Sequence, residues 1–334
     1  MTAAYDVAAI GNAIVDVIAP ADDGFLGRQS LAKGSMMLVD EAQATALYAQ
    51  MAPGIETSGG SAGNTVAGVA DLGGKAAYIG KVADDQLGDV FVHDMRAIGV
   101  DFDVARLVGG AATARCLINV TADGQRTMCT YLGASIHLTP ADVIPAIVEG
   151  AQILYLEGYL FDPNDAREAF AKAAGLARAS GRLIAITLSD AFVVERHRAA
   201  LLGFIEGQVD IVFGNEVELA ALFETDNFDA AAQALSAITS IAAITRGADG
   251  SVVLAGEARH AIGAFQVEKV VDTTGAGDQY AAGFLFGLAR SRPLDVCGRL
   301  GSMAAAEVIS HYGPRPQANL RELAAAQGLL EGGL

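Results

Sequence analysis

Residues 270–280 read VVDTTGAGDQY, and three small residues there, Gly275, Ala276 and Gly277, run directly into a carboxylate, Asp278. Small residues let a main chain approach a ligand closely, whereas a carboxylate at the same place repels an anion unless it serves the chemistry. From Gln279 onward, Tyr280, Phe284 and Leu288 recur at helical spacing, so the glycines stand where a helix begins. Helix N-termini present unpaired N–H groups and a partial positive charge that together favour a phosphate. Asp278 in that first turn has two readings, a helix cap or a base beside a phosphate-binding main chain. Only the second also accounts for the three small residues before it.

Other positions place polar groups at strand ends. In AAIGNAIVDVIA, Asn12 follows a strand and Asp16 comes four residues later, and both side chains can hydrogen-bond hydroxyl groups. A turn Asn and a surface Asp are the plainer alternative. Gly59 and Gly60, in ETSGGSAGNTVAGVADLGGKAAYIG, precede an apolar helix predicted over 61–72, with a strand over 76–82. The GGSAG inside this stretch fits a G-x-S-x-G nucleophile elbow at Ser61. YAQMAPGIETS before it, broken by Pro53 and Gly54, does not read as the buried strand that elbow needs. A Walker A loop is missed as well, since Ala76 follows Lys75 where Ser or Thr is required.

Asn215 and Glu218, three apart at a helix start in VDIVFGNEVEL, spell a capping box and would equally suit a hard cation with its waters. Thr245, Arg246 and Gly247 close another strand, ahead of a hairpin turn at Asp249 and Gly250. With no H-E-x-x-H and no C-x-x-C, a zinc site has no support.

The elements that must position these residues alternate. AQILYLEGYL, RLIAITLSD, VDIVFGN and IAAITRG read as buried strands. AREAFAKAAGLARASG, ERHRAALLGFIEG and EVELAALF read as the helices between them. Such alternation predicts an α/β fold with a mainly parallel sheet covered on both faces. Ligands of such sheets bind beyond the carboxyl ends of the strands, where the candidates fall. ARCLINVTADGQRTMCTYLG breaks the rhythm with two alternating strands around Asp123 and Gly124, a hairpin signal. Together with NAIVDVIA and GSMMLVD it predicts a small β-sheet lid, formed by roughly 14–40 and 112–134 of a single domain spanning 1–334. After Tyr312 the chain reads as a tail flanked by Gly and Pro.

Composition narrows the class. A 334-residue chain with 52% hydrophobic residues is globular and long enough to bury a large core. A formal charge of −17 argues against nucleic acid and anionic membrane surfaces as partners. The N-terminus lacks the basic start of a secretory signal, and no apolar run reaches bilayer-spanning length. Cys116, Cys129 and Cys297 are odd in number and far apart, which suits core packing and a cytoplasmic location.

Taken together, GNAIVD, the glycine pair with GKVADDQLGD, and DTTGAGDQYAAGF resemble the ribokinase family of carbohydrate and nucleoside kinases, over nearly the whole chain as far as HYGPRP. The resemblance implies a Rossmann-like three-layer body with a β lid, and transfer of the γ-phosphoryl group of ATP to a hydroxyl. By similarity Asp278 would be the general base and the main chain of Gly275, Ala276 and Gly277 the anion hole. Asn12, Asp16, Gly59, Gly60 and Asn64 would hold the acceptor. Asn215 and Glu218 would match the Asn-x-x-Glu motif linked to Mg2+ and phosphates, and Thr245 and Gly247 would lie beside the nucleotide. Asp272 and Thr274 would flank a possible K+. Arg126, past the hairpin turn, would reach phosphates or stay solvated.

LAKGSMMLVDEAQ and LSDAFVVERHR resemble bacterial adenosine-kinase-like members most, which implies the 5′-hydroxyl of adenosine as acceptor. Met36, Met37, Leu38 and Leu132 would either face the adenine or form lid core. A ribose- or fructose-type kinase and a non-catalytic nucleoside-binding protein are the alternatives. A lid edge can pair between subunits, so the chain is expected to be a monomer or a homodimer.

Overall fold

The computed structural model describes residues 3–330. In chain order its strands are β1 (Tyr5–Ile10), β2 (Ile14–Pro20), β3 (Met36–Leu38), β4 (Ile55–Gly59), β5 (Ala76–Ile79), β6 (Val100–Asp101) and β7 (Ala114–Val120). They continue with β8 (Arg126–Tyr131), β9 (Ala151–Glu157), β10 (Leu183–Thr187), β11 (Ile211–Asn215), β12 (Ile241–Thr245), β13 (Ser251–Ala255) and β14 (Ala258–Ile262). Nine form one sheet in the order β14-β13-β12-β11-β10-β9-β1-β5-β6. Pairing is parallel from β12 through to β6, and antiparallel only where β13 and β14 extend the edge. The all-apolar runs that signalled buried strands are buried here, with Val7 to Ile10 and Ile153 to Leu156 almost without exposure.

Chain order reverses at β1, which lies between β5 on one side and β9 on the other. Crossovers leave β1 and β9 toward opposite flanks, so a crevice opens beyond their carboxyl ends. Asn12 follows β1 and Glu157 ends β9, which puts both at that crevice.

The second sheet has the order β3-β8-β7-β2-β4 and is the expected lid. Its hairpin turns at Asp123 and Gly124 between β7 and β8, as the sequence predicts. One element departs from expectation. Ile55–Gly59 is a strand after all, paired antiparallel with β2, and it leads straight into the helix Ser61–Asp71. It is an edge strand of the small sheet, where Pro53 and Gly54 just upstream do no harm. The strand–turn–helix at Ser61 therefore exists, but the Ser61 hydroxyl faces Asp278, as described below.

The tail is the second departure. After Tyr312 the chain folds back over the helix Ala276–Ala289, and a final helix, Leu320–Ala326, follows. Gln279, wholly buried, donates from Nε2 to the carbonyls of Asn64 and Pro314, each at 3.0 Å. One side chain thus ties together the starts of two helices and the returning loop.

Candidate active site

A cavity of about 880 Å3 opens between the carboxyl ends of the large sheet and the lid. Asn12, Asp16, Gly60 and Asn64 stand on its wall near β1 and β2, and Asn215, Glu218 and Thr245 near the ends of β11 and β12. Thr274, Gly275, Ala276, Gly277 and Asp278 also line it. Gly59, Gly247, Asp272 and Arg126 do not reach the wall.

Asp278 does not cap its helix. Its Oδ1 accepts from Ser61 Oγ at 2.6 Å and its Oδ2 from Asn64 Nδ2 at 3.0 Å. Burial raises its pKa, and these two hydrogen bonds pull it part of the way back. Gly275 is the N-cap residue, left-handed at φ +79° and without a side-chain cap. Ala276 N donates to Thr273 O at 3.2 Å, and Gln279 N is the first amide to close onto the helix, to Gly275 O at 2.9 Å. The amides of Gly277 and Asp278 are thereby left for an external acceptor, as at any helix start.

Next to this turn lies a set of buried acceptors. Asn12 Nδ2 donates to Glu157 Oε1 at 2.9 Å, and Ala62 N to Glu157 Oε2 at 2.8 Å. Asn12 Oδ1 is buried without a partner. Among the described residues no donor bonds to Asp16, which is only 7% exposed. A diol would satisfy both groups, and the orphaned Asn12 oxygen alone carries a desolvation cost of about 1–3 kcal/mol.

At the other end, Asn215 and Glu218 form a complete capping box. Asn215 Oδ1 accepts from Val217 N and Glu218 N at 2.9 Å, while Glu218 accepts from Asn215 N and Nδ2. Each Glu218 oxygen accepts one hydrogen bond within the box, and the residue lines the cavity.

Residues 48–320 match the family described as pfkB family carbohydrate kinase. The chain belongs to the pfkB family of carbohydrate kinases. An adenosine kinase from Sinorhizobium meliloti is 52% identical, covering 97% of this chain and 99% of its own at a TM-score of 0.89. A probable sugar kinase from Rhizobium etli is 48% identical, with coverage of 98% and 100% and a TM-score of 0.92. A 5-dehydro-2-deoxygluconokinase from Halalkalibacterium halodurans is 30% identical over 268 residues, 76% of this chain and 80% of that one. This pfkB kinase is therefore a phosphotransferase with a sugar or nucleoside hydroxyl as acceptor, and the family implies ATP as donor. No helix among the described residues is long and apolar enough to cross a membrane.

Several wall residues of the kinase escape the sequence reading. Glu157 sits inside the apolar run AQILYLEGYL, and a charge in a buried strand is the signal that would have found it. Ser61 and Tyr159 also line the cavity. Arg315, on the returning loop, places Nε 3.4 Å from Asn64 Oδ1, which orients the amide so that Nδ2 faces Asp278. Met36, Leu38 and Leu132 are on the wall and Met37 is not, as strand alternation requires. Arg126 corrects an expectation: it is neither solvated nor on the cavity wall, but buried beside Asp272.

Three carboxyls of this pfkB kinase, Asp16, Glu157 and Glu218, are each raised to about 7, chiefly by burial. Unfolded, they return to values near 4, so between those limits the native state binds more protons than the unfolded chain. That contribution to stability is full below the unfolded pKa and lost as pH rises through about 7. Asp85, Asp123 and Asp162 are held low by their partners and act oppositely only toward acid. The ligand-free protein is expected to melt higher at about pH 5.5 than at about pH 8 at matched ionic strength. A melting temperature that is flat or rising over this range would contradict protonated carboxyls in the cavity.

Proposed function

We propose that the protein transfers the γ-phosphoryl group of ATP to the 5′-hydroxyl of adenosine. The observation that carries this reading is Asp278, held by Ser61 and Asn64 on the wall of the cavity, beside the unpaired amides of Gly277 and Asp278. An alcohol seated against the Asp278 carboxylate gives up its proton there as its oxygen attacks the γ-phosphorus, and the bond from that phosphorus to the β,γ-bridging oxygen breaks, ADP leaving with the electron pair. The amides receive the charge on the moving phosphoryl oxygens, in a reaction that asks mainly for positioning and charge stabilisation. Asn12 Oδ1 and Asp16 accept hydrogen bonds from the remaining ribose hydroxyls, which relieves the orphaned Asn12 oxygen.

Support for the nucleoside comes from the lid. Met36, Leu38 and Leu132, with Ile118 and Ile136, make an apolar wall that a purine covers and a bare sugar leaves wet. The high identity to an adenosine kinase points the same way. Thr245, at the end of β12, lines the same cavity, which supports a place for it beside the nucleotide. Mg2+ bound with ATP would supply charge neutralisation at the phosphates. Glu218, with a buried carboxyl that Asp190 pushes further up, fits as its holder through water, together with Asn215.

A sugar acceptor is the second reading, favoured by the likeness to a 5-dehydro-2-deoxygluconokinase. The same acceptors serve a free sugar equally well. The deciding experiment is ADP formation with ATP and Mg2+ over a panel of nucleosides, ribose, fructose and sugar acids. Adenosine is expected to give the highest kcat/KM, with AMP as product. Turnover of a sugar with none of adenosine would reject the nucleoside assignment. Adenosine binding without any ADP would instead make the chain a nucleoside-binding protein.

A further inference from the structure

The turn that opens the phosphoryl site begins with Asp272, where the family resemblance implies K+. Its carboxylate is engaged by three donors of the chain itself. Oδ1 accepts from Thr274 N at 3.1 Å and Thr274 Oγ1 at 2.7 Å, and Oδ2 accepts from Gly313 N at 3.1 Å. The remaining face of Oδ2 lies 2.9 Å from Arg126 Nη2, with both side chains under a tenth exposed. The guanidinium also sits over the Tyr312 ring, 5.6 Å from its centroid. Its Nε, Nη1 and Nη2 are all buried without a hydrogen-bond acceptor, so the close charge contact with Asp272 and the ring are what hold the guanidinium there.

These residues do not fit a cation ligand set. Three donors and the Arg126 guanidinium already surround the Asp272 carboxylate, and a metal ion beside it would stand against a desolvated positive charge, a repulsion only weakly screened in a buried place. We infer that the Arg126 guanidinium, delivered by the lid strand β8, takes the place of a monovalent cation at the Asp272 turn and makes phosphoryl transfer independent of K+. The structural consequence is a coupling: the turn that carries Gly275–Gly277 is neutralised by a residue of the lid, so a seated hairpin and an ordered turn go together.

The inference rests on the phosphotransfer reading, and the test separates the two. Wild-type protein is titrated with KCl against choline chloride at constant ionic strength, with turnover of the preferred acceptor and thermal melting recorded in parallel. Turnover is expected to stay within about twofold and the melting temperature to be unmoved. A specific site filled about 100-fold above its Kd would raise the melting temperature by several degrees. Arg126→Ala is expected to lose at least about tenfold in kcat in choline chloride and to recover in part with millimolar guanidinium or K+. A merely structural arginine would not give that rescue. Wild-type activation by K+ of about fivefold or more, a K+-dependent rise in melting temperature, or full turnover of Arg126→Ala in choline chloride overturns the inference. Should the variant not fold, the wild-type arms still decide. Absence of turnover with every acceptor would strike the phosphotransfer reading, while the melting arm would still report on the cation.

Discussion

Asp278→Asn is expected to lower kcat by about 10²-fold or more while acceptor affinity changes only a few-fold. The amide is isosteric with the carboxylate, so the cavity keeps its shape and Ser61 Oγ can still donate to the remaining oxygen. What is lost is the site that takes the hydroxyl proton. A second effect arises because Arg315 holds the Asn64 amide with its oxygen turned away from residue 278. The new NH2 then faces Asn64 Nδ2, two donors in contact, which costs on the order of 1 kcal/mol and is offset in part by removal of a buried charge. Initial rates give kcat and KM, and calorimetric titration with the acceptor gives binding separately. The pH profile adds an independent readout. A base must be ionised to act, and burial raises the Asp278 pKa, so wild-type kcat should fall toward acid above the ordinary aspartate range. That acid limb should vanish in the variant. Turnover within a few-fold of wild type would remove Asp278 from the role of base.

The residues that were legible in sequence are those whose local setting carries a physical signature. Gly275, Ala276, Gly277 and Asp278 announce themselves because a run of small residues before a helical pattern is costly to keep without a close approach to something. Asn12, Asn215 and Thr245 stand just past all-apolar runs, and a parallel sheet sends such residues to one edge. Those that were not legible depend on tertiary placement. Ile55–Gly59 is too short and too exposed at its start to show alternation, and only its pairing with β2 makes it a strand. The segment after Tyr312 has no periodicity at all, yet its Pro314 carbonyl is bound by Gln279 and its Arg315 addresses Asn64. Arg126 follows a hairpin turn, a place that reads as solvated, and nothing local reveals a carboxylate waiting from the far end of the chain.

Gly275→Ala is the second large effect, and it tests the other half of the site. The residue adopts φ +79°, which an L side chain reaches at a cost of about 1–2 kcal/mol. Space is the harder problem, because a Cβ there would lie 2.6 Å from Pro314 Cα and 2.7 Å from Pro314 O. Backbone atoms cannot rotate away, so either the 313–316 loop lifts or the turn itself moves by several tenths of an ångström. Movement of the turn displaces the Gly277 and Asp278 amides relative to the phosphoryl group. Loss of one such donor is worth about 10²–10³-fold in kcat, and that is the drop expected. The melting temperature should fall by several degrees, from a destabilisation of about 1–3 kcal/mol. Gly277→Ala supplies the contrast: its Cβ would meet nothing within 4 Å, and Ala favours a helix by up to about 1 kcal/mol over Gly, so its melting temperature should hold or rise. If Gly275→Ala melts lower yet turns over like wild type, the amides at the start of this helix are not where the phosphoryl group is held.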